Sequence, residues 1–164
     1  MVLTLAGRIA ADPLPHTRVY AVITGCEEVQ HSGMIDSYRR HRGEMKEPRA
    51  VVFEPMGCAD PVWSIREGIL GPFYSDPDLR LTAERLSAEH PEWNARAASI
   101  YGGNTDLADA VRNKVPALAI GGMQKNGEVP FWHQRQDTFD KIRPECLERA
   151  WEMTWALIQE IGRD

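Results

Sequence analysis

Three apolar runs separated by helix-length segments constrain this chain more than any other feature. Residues 18–24, 50–54 and 116–120 are nearly continuous in β-prone side chains, without the polar alternation of a strand that has one wet face. Runs of this kind are buried on both sides, so helices must cover the sheet above and below. The intervening segments supply them. Residues 1–11, about 32–42, 76–90, 106–113 and the stretch from Pro144 to Ile161 carry helical signals. Asp12-Pro13 stops the first, Ser32 serves as N-cap of the second, and Pro77 sits in the first turn of the third. Leu147, Trp151, Trp155, Ile158 and Ile161 form one apolar stripe on the last. A short strand at 95–100 and an extended stretch at 62–65 complete the pattern. The expected fold is α/β, a three-layer sandwich with a mixed, mostly parallel sheet, in a single domain over residues 1–164.

Composition excludes several classes of function. A chain of 164 residues that is 43% hydrophobic can bury a real core. Its formal charge of -5 repels phosphate backbones, and Arg39-Arg40 with Arg42 is only a short helical run, so no nucleic-acid partner is expected. No apolar stretch approaches the roughly 20 residues of a membrane span, and residues 1–11 lack the charged start and cleavage site of a signal peptide. Cys26, Cys58 and Cys146 are odd in number and without CxxC spacing, which suits a reducing compartment. The expected location is cytoplasmic, or extracellular if a signal lies upstream. Cys26 and Cys58 are expected to be small buried hydrophobes.

In open α/β sheets, sites form beyond the carboxyl ends of the strands. Three strands deliver chemistry there. The first ends in Glu27-Glu28, the second in Glu54, and the third leads through Gly121-Gly122 to a loop bearing His133. Carboxylate oxygen and neutral imidazole nitrogen suit zinc, and also manganese or cobalt. Adjacent glutamates leave a tight turn in different directions, so one can bind metal while the other takes the proton of an activated water. Taken alone, the pair reads as an acidic helix start. His133 alone reads as a loop histidine beside Trp132.

The spacing around these residues resembles that of the co-catalytic dizinc aminopeptidases and carboxypeptidases. Gly25-Cys26-Glu27-Glu28 followed by Gly33 is similar to their Gly-x-Glu-Glu-x-x-x-x-Gly signature. Val52-Phe53-Glu54-Pro55-Met56-Gly57 resembles their next ligand strand, and Gly103-Asn104-Thr105-Asp106 before Val115-Pro116-Ala117-Leu118 resembles their Thr/Ser-Asp segment. Trp132-His133-Gln134-Arg135-Gln136-Asp137-Thr138 resembles their final Tyr-His-x-x-x-Asp-Thr motif. The order is the same throughout. The resemblance implies the zinc-peptidase version of the phosphorylase/hydrolase-like fold. By position it makes Glu27 the general base, Glu28 a ligand of one metal, Glu54 a ligand of the other, and His133 the last ligand. Asp106 and Asp137 are the implied supporting residues, although Asp106 also reads as a helix N-terminal acid and Asp137 as a turn cap. Glu54 stands where many relatives have Asp.

The family's His-x-Asp ligand pair and bridging Asp have no counterpart before Glu27. Asp12, at the far end of the first helix, would lie roughly 15 Å from the bridging position and cannot replace it. The chain is therefore expected to be N-terminally incomplete relative to the family, with a sheet edge that a homo-oligomer partner or a missing N-terminal segment must cover. If upstream sequence completes the ligands, the implied function is a zinc-dependent exopeptidase or amide hydrolase acting on small peptides or acyl-amino acids. The alternative is a catalytically silent binding or assembly module.

Overall fold

The computed structural model describes residues 1–69 and 71–163. Five strands form one mixed sheet: β1 (Ala50–Phe53), β2 (Pro61–Glu67), β3 (Phe73–Tyr74), β4 (Arg96–Ser99) and β5 (Ala117–Gly122). β1 runs parallel to β5 and β4 parallel to β2, whereas β2 is antiparallel to both β5 and β3. Proline opens β2, the one strand position that needs no amide donor.

Strand β5 shows why its sequence is apolar throughout. Leu118 and Ile120 point to one face, where they pack with Leu79, Ala83, Leu86, Met153 and Leu157. Ala117 and Ala119 point to the other, against Val52, Leu107, Ala110 and Tyr38. The first cluster is roofed by α3 (Pro77–Glu89) and α5 (Pro144–Ile161), the second by α2 (Ser32–His41) and α4 (Asp106–Arg112). The expected three-layer α/β sandwich is thus the one observed. α1 (Val2–Ala11) adds a further helix. Among the described residues no helix is long and apolar enough to cross a membrane.

Three local expectations are corrected. Residues 18–24 form no strand, and Val19, Tyr20, Val22 and Ile23 are exposed. A strand exists only through hydrogen bonds to a neighbour, and no described strand pairs with this run; among the described strands β1 pairs with β5 alone. On α5 the buried stripe is Cys146, Ala150, Met153, Thr154 and Leu157, shifted from the expected one. Trp151 and Trp155 are half-buried at its flank, stacked at 6.1 Å, with the Arg8 guanidinium of α1 over Trp155. Cys26 is exposed and Cys58 half-buried, so neither is a core residue; Cys26 lies on the tight loop after residue 24 with φ 57°.

Candidate active site

A cleft of about 760 Å³ opens beyond the carboxyl ends of β1 and β5. Glu27, Glu28, Glu54, His133 and Asp137 all line it, as do Thr105 and His31. Five of the six residues singled out in the sequence therefore face one space. The sixth, Asp106, sits at the start of α4 and contacts the cleft residue His31.

The loop from Gly25 to Gly33 owes its shape to its glycines. The Gly33 amide donates to the Gly25 carbonyl at 3.1 Å. A Cβ on Gly33 would lie 2.3 Å from that carbonyl oxygen, closer than any side chain allows. Closing the loop this way turns Glu27 and Glu28 apart. Glu28 Oε1 lies 3.1 Å from His133 Nε2, whereas Glu27 Oε1 lies 3.6 Å from His31 Nε2. Gln30 and His31 take left-handed φ values of 59° and 55°, an uncommon conformation for residues with side chains.

Glu54 follows β1 and is half-buried, its amide donating to the Ile120 carbonyl at 3.0 Å. Burial, then the negative charges of Glu27, Asp106, Glu67 and Glu28, push its carboxyl up to about 8. So crowded a set of carboxylates is relieved by taking up a proton or a cation. Glu28, Glu54 and His133 offer the oxygen and imidazole donors that zinc, manganese or cobalt accept, so the donor chemistry fits the metal that the sequence implies.

Behind the cleft lies a buried layer that the sequence reading did not single out. Glu67, at the end of β2, is fully buried, and burial raises its carboxyl above the usual range. Thr105 holds it: the Thr105 amide donates to Oε1 at 2.8 Å and its hydroxyl lies 2.9 Å from Oε2. The same hydroxyl accepts from the Leu107 amide and caps α4. Asp106 is both the helix N-terminal acid and a tertiary anchor, accepting from the Thr24 hydroxyl at 2.9 Å. Burial raises its carboxyl too. Asp109, one turn further on, is 1% exposed and lies 2.8 Å from His31 Nδ1. His31 carried no local signal, because it precedes α2 in a left-handed turn and meets Asp109 only through the fold. Glu67 carried none, because β2 runs past the expected extended stretch at 62–65. Asp137 is exposed, and its neighbour Thr138 donates instead to Asp140 at 2.6 Å.

Residues 1–158 match the family described as Peptidase family M28. No curated protein sequence gives a significant match. Among solved structures, LapA of Legionella pneumophila superposes with a TM-score of 0.68 at 18% identity, covering 86% of this chain and 39% of that one. A second structure, described as the LapA aminopeptidase of the same organism, gives 0.62 at 17% identity, covering 83% and 38%. A Campylobacter jejuni 5'-methylthioadenosine/S-adenosyl homocysteine nucleosidase gives 0.50 at 9% identity, covering 77% and 74%. At such identities the likeness concerns the fold, which in this architecture hosts unrelated chemistries. The chain spans 39% and 38% of the two Legionella chains.

Proposed function

The chain belongs to peptidase family M28, and from that premise we propose that its cleft serves a metal-dependent exopeptidase or related amide hydrolase acting on a small peptide or acyl-amino acid. The observation that carries the reading is the meeting of Glu27, Glu28, Glu54 and His133 in one cleft, with His133 Nε2 3.1 Å from Glu28. Glu28, Glu54 and His133 would hold the metal, zinc being the expected one. When bound, that ion supplies a Lewis acid for the scissile carbonyl and for water. Glu27 does the proton work. It shares the cleft with Glu28 yet points to His31 rather than His133, which leaves its carboxylate to take a proton from the attacking water and return it to the departing amine. Gly102 and Gly103 also line the cleft, and their lack of side chains makes room for the Trp132 indole packed against them.

Glu27→Gln tests this role. The expected result is loss of hydrolysis of aminoacyl and acyl-amino-acid substrates with bound metal retained; loss of metal with hydrolysis retained would overturn it. A second reading is a catalytically silent binding or assembly module. The exposed apolar run at 19–23 and the unpaired side of β1 support an assembled form, either a homo-oligomer or a sheet completed by further residues. Less than one tightly held zinc per chain, together with no hydrolysis, would favour the silent module.

A further inference from the structure

We propose that His31, Asp106 and Asp109 form a binding site for a divalent transition-metal ion of the zinc class, built from ligands other than Glu28, Glu54 and His133. The three side chains offer one donor atom each within a 4.8 Å span. The side chains of His31 and Asp109 are at least nine-tenths buried and that of Asp106 nearly so, at 10%, 1% and 12% exposed.

The decisive observation is how their polar atoms divide. One atom of each residue is engaged elsewhere. Asp106 Oδ2 accepts from the Thr24 hydroxyl, Asp109 Oδ1 from Arg112 at 3.0 Å, and His31 Nε2 faces Glu27. The other atom of each has no hydrogen-bond partner: His31 Nδ1, Asp106 Oδ1 and Asp109 Oδ2 are orphaned. These are the very atoms that converge, with Nδ1 2.8 Å from Asp109 Oδ2 and 3.5 Å from Asp106 Oδ1. The nitrogen and the Asp109 oxygen lie at ion-pair distance but without the geometry of a hydrogen bond.

Buried polar atoms left without a hydrogen bond are costly and require an explanation. Two carboxylate oxygens and an imidazole nitrogen around one point are satisfied together by a divalent ion, and the nitrogen selects the zinc class over magnesium or calcium. The outer bonds from Thr24 and Arg112 are the kind of support that orients ligands from behind. A metal on Nδ1 also leaves the imidazole proton on Nε2, facing Glu27 Oε1 at 3.6 Å. His31 then becomes a positioning residue for Glu27.

The test uses the full chain carrying Glu28→Gln, Glu54→Gln and His133→Gln, so its outcome does not depend on the hydrolase reading. After chelation, cobalt(II) and zinc(II) are titrated in, followed by visible absorption and by metal content per chain. The expected result is one bound ion with a cobalt spectrum that includes nitrogen ligation. Adding His31→Gln or Asp109→Asn should weaken binding at least roughly 100-fold. A parallel measurement on the unsubstituted chain guards against misfolding: zinc should shift the Nδ1 resonance of His31 in imidazole nitrogen NMR. No ion bound in the triple-substituted chain, binding indifferent to both added substitutions, a response to magnesium alone, or an unmoved His31 resonance would each overturn the proposal.

Discussion

Replacing Thr105 by Val probes whether the buried layer behind the cleft is held together as described. Valine keeps the shape of this buried side chain and removes the hydroxyl alone. Two interactions go with it: the bond to the Glu67 carboxylate at 2.9 Å and the cap accepting from the Leu107 amide at 3.1 Å. A hydrogen bond to a charged group contributes about 1.5–3 kcal/mol and an N-cap about 1, so the loss should be roughly 3 kcal/mol. For a chain of this size that lowers the melting temperature by roughly 6–12 °C. The effect should also depend on pH. Burial raises the folded-state carboxyl of Glu67, so the stability tied to its protonated form is fully present below the unfolded carboxylate range. It is lost as pH rises through the raised value. Thr105 opposes that rise by bonding the charged form, and without its hydroxyl the loss on going to neutral pH becomes steeper. Urea unfolding followed by fluorescence of the buried Trp63 and Trp93 reads both effects, and Thr105→Ser should restore most of the stability. A Thr-to-Val difference below about 1 kcal/mol, or one that does not widen with pH, would refute the reasoning.

Glu54→Gln should remove a pH-dependent penalty from the chelated chain. Because the carboxyl is pushed up to about 8, its contribution is full below the ordinary carboxylate range and is lost as pH rises toward 8. The parent should therefore lose roughly 2–3 kcal/mol relative to the variant between about pH 5 and about pH 8, read as a change in urea midpoint, and parallel curves would contradict it. Gly33→Ala should open the loop that aims the paired glutamates, since its Cβ would meet the Gly25 carbonyl oxygen at 2.3 Å. A destabilisation of about 1–3 kcal/mol is expected with faster proteolysis near Cys26, and an intact loop in amide exchange would contradict it.

Much of this fold was legible because burial on both faces leaves a plain mark. β1 and β5 are apolar at every position since helices cover them on either side, and the carboxyl ends of those strands pointed to Glu54 and the His133 loop. Glu27 and Glu28 were legible from their spacing to Gly33, which proves to be a contact requirement of the backbone. Other features depend on partners that local sequence does not name. Residues 18–24 have the side chains of a strand, but pairing is a property of two segments. Asp109 looks like an ordinary acid of a short helix, and only the tertiary approach of His31 gives it a role. Glu67 is a charged residue at the end of a strand, and nothing local announces that Thr105 will close over it.

The two faces of β5 differ in the size of their side chains, and that difference works as a spacer. Leu118 and Ile120 fill the layer beneath α3 and α5, whereas on the other face only Ala117 and Ala119 stand between the strand and Leu107 and Ala110 of α4. Since α4 carries Asp106 and Asp109, the width of two alanines fixes how far those carboxylates reach toward His31. A single added branch at Ala119 would act as a wedge. It would alter the geometry at a cluster it never touches, so the tuning of this site resides partly in the smallest side chains of the strand beneath it.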